Sequence, residues 1–273
     1  FVSGTTTWKE CWIILSALLK RKDLVQGVHI QRFEHAFAEY IGAQYAFSFG
    51  AGRMALYAIL QAMGIKEGHE VILPAYTCVT VPDAIIYCGA RPVYVDIDKD
   101  TLVINATRVE EKITSNTKAL IAQHTAASFC DMERIRDLAE RYNLKVIEDC
   151  AQALGAEYKG KKAGTFGDAA FFTTEQTKII STGMGGMVVT NDDNLAQRLR
   201  NIQHSTNWPD RESVKKIALQ IVFYNILAHP RTLFIGKYIL AILGKFDLFI
   251  QTTTKEEMEG NRPAKYPVRL SNI

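Results

Sequence analysis

Lys145-Val-Ile-Glu-Asp-Cys-Ala-Gln152 and, a few residues on, Asp168-Ala-Ala-Phe-Phe-Thr-Thr-Glu-Gln-Thr-Lys-Ile-Ile-Ser-Thr-Gly-Met-Gly-Gly186 decide how this sequence folds. Each holds a short apolar run of strand length, and each run leads directly into polar residues that can carry chemistry. Working outward, β-branched apolar runs alternate with helix-period segments from about residue 45, which predicts a mostly parallel sheet covered by helices. Strands are expected at 70–75, 92–97, 119–124, 145–149, 169–173 and 186–190, with helices beginning near Arg53, Val81, Val109, Met132 and Asn194. The segment 132–142 places Met132, Ile135, Leu138 and Ala139 on one face, as a sheet-covering helix does, and Asp131 is its expected N-cap. Ligands of such sheets gather at the carboxyl ends of the strands, where His124, Asp149 and Thr173 are expected to fall.

The composition bounds the rest. The chain has 273 residues, 48% of them hydrophobic, enough for one large domain with a core or one domain and part of another. It begins at Phe1 and stops at Ile273 within an amphipathic pattern, and is read here as a piece of a longer protein. The net charge is +3 with both signs interspersed, and no Lys/Arg block suggests a nucleic-acid footprint. Five cysteines in apolar or strand-like contexts fit reduced thiols in a cytoplasmic protein better than a disulfide framework.

Asp149 at a strand tip and Lys178 among hydroxyl residues and glycines are the two groups that pyridoxal phosphate chemistry requires. The lysine amine forms a Schiff base with the cofactor, and the carboxylate pairs with the pyridine nitrogen so that the ring acts as an electron sink. Strand alternation turns only one of Glu148 and Asp149 toward such a site.

After Asn207 the character changes. Residues 214–249 are rich in Ile, Leu, Phe and Tyr, interrupted by Lys215, Lys216, Arg231, Lys237 and Lys245, and Pro230 divides them into two helical segments. A membrane span needs about 20 consecutive apolar residues, and neither half supplies them. Three readings are open: a helical hairpin packed on the parent domain or a neighbouring subunit, an interfacial membrane-binding element, and a true span.

Ala51-Gly-Arg-Met-Ala-Leu56, Pro74-Ala-Tyr-Thr-Cys78, Pro92-Val-Tyr-Val-Asp96, Glu148-Asp-Cys-Ala-Gln152, Gly167-Asp-Ala-Ala-Phe-Phe172, Thr177-Lys178 and Gly183-Met-Gly-Gly-Met-Val-Val-Thr-Asn-Asp192 together resemble the DegT/StrS-like family of sugar aminotransferases, in order and spacing. The resemblance implies a three-layer α/β/α pyridoxal phosphate transferase domain over residues 1–207, with an N-terminal helical segment. An apolar helical insertion at 208–262 and the start of a truncated small domain at 263–273 would follow. It implies Lys178 as the catalytic, cofactor-linked amine, a residue that is histidine in related dehydratases. Asp149 would pair with the pyridine nitrogen and Gln152 would lie near the ring oxygen. Gly52, Arg53 and Thr173 would sit at the phosphate and Cys78 at the ring face. His124 matches a family position near the active site. No metal is expected.

The reaction implied moves an amino group, from glutamate, to a keto sugar linked to a nucleotide, for cell-surface polysaccharide or secondary-metabolite biosynthesis. The expected assembly is a cytoplasmic homodimer, with peripheral membrane contact through 214–249. Departures from the pattern are Arg53 for a threonine, Cys78 for a stacking aromatic, Met184 for a glutamate and Pro267 for an asparagine that often reaches the partner subunit's phosphate. Tyr76 is the candidate to replace the lost ring. A non-catalytic or regulatory protein of the same fold, and a pyridoxal phosphate-dependent sugar dehydratase, are the alternatives.

Overall fold

The computed structural model describes residues 6–20, 23–125, 128–227, 232, 234–236, 238–239 and 253–272. Two helices open the chain, α1 (Trp8–Leu19) and α2 (Val28–Ile41). Next come β1 (Tyr45–Phe49), α3 (Gly52–Ala62), β2 (Glu70–Pro74), α4 (Thr80–Tyr87) and β3 (Arg91–Val95). The chain continues through α5 (Ala106–Val109), β4 (Thr117–Gln123), α6 (Met132–Tyr142) and β5 (Lys145–Asp149). A small hairpin, β6 (Glu157–Tyr158) and β7 (Lys161–Lys162), precedes β8 (Ala169–Thr173), β9 (Gly186–Thr190), α7 (Asp193–Ser205) and α8 (Arg211–Leu227).

Seven strands form one sheet in the order β1-β9-β8-β5-β4-β2-β3. All pairs are parallel except those of β9, which runs against β8 and β1. The sheet is therefore mostly parallel, as the buried β-branched runs predict. Period-two alternation divides its side chains between two cores. Val71, Leu73, Ala119, Ile121 and Ile147 pack with α3, α4 and α7, whereas Ile72, Leu120, Ala122 and Val146 pack with α6. Register is fixed because a one-residue slip would exchange the two sets.

The expected helix 132–142 forms as drawn, with Met132, Ile135, Leu138 and Ala139 buried. The Asp131 carboxylate accepts from the Arg134 N–H at 3.1 Å, and Asn143 ends the helix in a left-handed conformation (φ 51°). One expectation is corrected. Instead of a helix beginning near Val109, the single turn α5, capped by Asn105, ends there and only a 3₁₀ turn, Glu110–Lys112, follows. The spacing Val109-Glu-Glu-Lys-Ile113 carries one buried apolar position, too few to hold a longer helix against the sheet.

Helix α8 turns back onto α1, and the two bury Cys11, Ile14, Ala218, Ile221 and Val222 between them. The second helical segment expected after Pro230 lies largely outside the described residues, and no described helix is long and apolar enough to cross a membrane. The segment 266–272 returns to the body of the domain. Val268 O accepts from Gly50 N–H at 2.8 Å, and Asn272 N–H donates to Leu24 O at 3.0 Å.

Candidate active site

β4, β5 and β8 end side by side, and their carboxyl ends together with the start of α3 enclose a cleft of about 220 Å³. Gly52, Arg53, Cys78, Asp149, Gln152, Thr173 and Lys178, all expected from the sequence, line this one cleft, as does His124.

The floor is Asp149. It is 4% exposed, and its Oδ1 accepts from the Ala151 N–H at 3.0 Å. Burial pushes its carboxyl up to about 6, against opposing pulls from the Ala151 bond, His124 and Lys178. An acid so placed is short of a cationic partner, which a protonated pyridine nitrogen would supply.

Glu148 points the other way, as alternation requires, and is fully buried. Its Oε1 accepts from the Phe166 and Gly167 N–H groups, both at 2.7 Å, and its Oε2 from Gly164 N–H at 2.9 Å. His124 completes the set, with Nε2 3.1 Å from Glu148 Oε2 and Nδ1 accepting from the Cys130 N–H at 3.3 Å. That pattern assigns the ring proton to Nε2. The ring is thus buried, anchored from behind by Glu148 and the Cys130 N–H, and lines the cleft. Glu148, His124 and Cys150 are close enough to meet a common ion. The carboxylate's oxygens are already filled by four donors, so the trio reads as a scaffold rather than a metal centre.

At the other end, α3 begins with its first backbone N–H groups uncapped by any side chain. Such an N-terminus favours an anion. Gly186 makes the approach possible, because a Cβ there would lie 2.3 Å from Ala51 O and 2.5 Å from Gly52 N. Thr173 Oγ1 donates to Gly185 O at 3.3 Å, a long bond that an incoming anion can replace. Arg53 does not point into the cleft as a free cation. Glu257 takes both its Nε and its Nη2, the latter at 2.8 Å.

Cys78 is exposed at the wall, its Sγ 3.2 Å from Thr80 Oγ1. Tyr76, the candidate to replace the missing aromatic, is 57% exposed and is not among the residues lining the cleft. Gln123, which sequence reasoning missed, holds this turn. It donates from Nε2 to Tyr76 O (3.1 Å) and Thr125 Oγ1 (2.9 Å) and accepts from Thr77 Oγ1. Its position at the last residue of a central parallel strand was the available signal. Thr253 was also missed, and nothing local in the sequence points to it.

Lys178 stands on the loop between β8 and β9, half-buried, and is the one lysine on the cleft wall among the described residues. The loop is tied by Thr174 Oγ1 to Thr182 Oγ1 (2.7 Å) and by Thr182 N–H to Thr174 O (2.8 Å), so the lysine is presented from a closed turn. Gly183 (φ 74°) lets that turn close.

The DegT/DnrJ/EryC1/StrS aminotransferase family profile matches residues 9–222. Over 185 residues the chain is 45% identical to GDP-perosamine synthase of Caulobacter vibrioides, covering 68% of this chain and 50% of that protein. An aminotransferase structure from Psychrobacter cryohalolentis superposes with a TM-score of 0.71 at 36% identity, over 74% of this chain and 52% of that one. A GDP-4-keto-6-deoxy-D-mannose-3-dehydratase from E. coli with bound hydrated PLP superposes with a TM-score of 0.68 at 28% identity, over 73% and 52%. The chain spans about half the length of these relatives.

Proposed function

Because this chain belongs to the DegT/DnrJ/EryC1/StrS aminotransferase family, we propose that it binds pyridoxal 5'-phosphate and moves an amino group, with glutamate as donor, onto a keto group of a nucleotide-linked sugar. The observation that carries the reading is the convergence on one cleft of an amine (Lys178), a buried acid (Asp149) and an open helix N-terminus (α3). These three groups match the cofactor's aldehyde, ring nitrogen and phosphate.

When bound, the cofactor's ring takes up the electron pair released at the carbon that carries the amino group. Everything else falls to the chain. Asp149 holds a proton between its carboxyl and the ring nitrogen, in a buried setting where that charge pair is strong. Lys178 anchors the cofactor and carries a proton on Nζ to and from the reacting carbon as general acid and base. The N–H groups opening α3 and the Thr173 hydroxyl bind the phosphate. Gln152 and Cys78 bound the ring, the thiol packing through its sulfur over a smaller area than an aromatic gives.

The lysine favours amino transfer over the dehydratase alternative. A visible absorbance band on adding pyridoxal 5'-phosphate, lost in Lys178→Ala, together with glutamate-dependent amino transfer, is the expected result. Absence of the band under saturating cofactor would sink the enzyme reading. A band with loss of the sugar hydroxyl and no amino transfer would establish the dehydratase.

Two finer statements belong to the same reading. The working form is a homodimer. Further, the segment 214–249 contacts a bilayer surface peripherally, supported in its described part by exposed Leu219, Phe223 and Ile226 near Lys215 and Lys216, and by exposed Trp8, Trp12 and Leu19 on α1, which packs against α8.

A further inference from the structure

We propose that Thr253 is a phosphate-end residue of the cleft, and that the Arg53–Glu257 ion pair is the positioning device that holds it there. This rests on the reading above that the cleft takes pyridoxal 5'-phosphate.

Four observations carry the assignment. Thr253 lines the cleft together with Gly50, Ala51, Gly52 and Arg53, the residues that open α3. Its neighbour Thr254 caps the single helical turn Lys255–Met258, and Glu257 closes the capping box, its Oε2 accepting from Thr254 N–H at 2.8 Å. The same Glu257 carboxylate grips Arg53, the second residue of α3, with side chains only 1% and 11% exposed. The path beyond is pinned to α3 and α4 as well: Tyr87 Oη donates to Asn261 O at 2.8 Å, and the Tyr266 ring meets Tyr57 and Tyr87 edge-on at 5.3 Å.

One carboxylate therefore does two jobs, fixing the turn that begins at Thr254 and tying that turn to the helix whose N-terminus faces the cleft. An ion pair this dry adds little net stability over apolar residues of the same volume. What it adds is a defined geometry between two segments 204 residues apart. Glu257 takes the Nε and one Nη2 donor of the guanidinium and offsets its charge, so the anion at α3 is assigned to neutral donors: backbone N–H groups and the hydroxyls of Thr173 and Thr253. Arg53 acts through Thr253 rather than on the ligand.

Discrimination between pyridoxal 5'-phosphate and pyridoxal isolates the phosphate end, because the two differ only there. The dissociation constant of pyridoxal divided by that of pyridoxal 5'-phosphate, read from visible absorbance, is expected to fall about tenfold in Thr253→Ala, the size of one hydrogen bond to a charged group, and to be retained in Thr253→Ser. Arg53→Met and Glu257→Met should each lower the ratio similarly. Adding Thr253→Ala to either should lower it little further, since both changes remove one contact. An unchanged ratio in Thr253→Ala would overturn the proposal. A fall in Arg53→Met with none in Glu257→Met would also overturn it and make Arg53 a direct ligand.

Inorganic phosphate alone gives a second readout. It should raise the thermal midpoint of the wild type and of Thr253→Ser, and raise it less in Thr253→Ala. If neither pyridoxal form binds the wild type, the cofactor reading fails while this phosphate result still decides the role of Thr253. No phosphate effect on the wild type would then overturn it.

Discussion

At the scale of single residues, Asp149 makes the sharpest quantitative demand. Its folded carboxyl sits at about 6 against an ordinary 3.8, because burial disfavours the charged form. A raised acid favours the folded state while protonated. That contribution is fully present below the ordinary value and is lost as pH rises through about 6, leaving a buried carboxylate that costs on the order of 3 kcal/mol. In the cofactor-free protein, Asp149→Asn should therefore gain stability relative to the wild type between pH 4 and pH 7.5, by roughly that amount. Urea midpoints of both proteins across the range measure it, and a difference that does not vary with pH would contradict the burial argument. With cofactor bound, the ring nitrogen supplies the missing positive charge, and the same substitution should instead weaken binding and abolish amino transfer.

At the scale of elements, β5 shows how one strand serves two surfaces. Asp149 faces the cleft, while Glu148 ties the 164–167 loop and His124 into place behind it. Glu148→Ala leaves three backbone N–H groups and a histidine N–H buried without an acceptor. A loss of about 3–5 kcal/mol is expected, measured by chemical denaturation, with broadened His124 ring resonances as the local signature. Alternation predicted that only one of the two carboxylates faces the cleft, because a period of two is a property of the strand itself; the family resemblance, not the alternation, pointed to Asp149. Six of the seven sheet strands, the helix 132–142 and the gathering of His124, Asp149 and Thr173 were legible for the same reason, since apolar periodicity and strand ends are local; the edge strand β1 (Tyr45–Phe49) was not read. The hairpin β6–β7 was not read from the sequence, since Glu157-Tyr158 and Lys161-Lys162 offer no apolar pattern. Nor were Gln123, although its strand-end position was a signal, and Thr253, which the fold brings to the cleft from far along the chain. Arg53 is the instructive case: the resemblance puts it at the phosphate, and nothing local in the sequence points to its ion pair with Glu257.

At the scale of the whole molecule, the joined pair α1 and α8 leaves Trp8, Trp12, Leu19, Leu219, Phe223 and Ile226 exposed. Aromatic rings among lysines suit an anionic bilayer surface. Flotation with anionic liposomes is expected for the wild type, to be lost at high salt and in Trp8→Ser/Trp12→Ser. Equal flotation with neutral and anionic vesicles, or none at all, would contradict it. A second molecule-wide feature concerns how the cleft comes into being. Glu257 meets Arg53, Val268 meets Gly50 and Asn272 meets Leu24, so the last described residues close on ones made at least 204 residues before them. Chains emerge from the ribosome in one direction. The sheet and its lysine loop are complete once β9 has emerged, while the wall at α3 waits for more than sixty further residues. During synthesis the growing chain therefore carries a nearly finished floor of the cleft that is open at the α3 end, and its late-arriving segment sets the moment at which the cleft is closed.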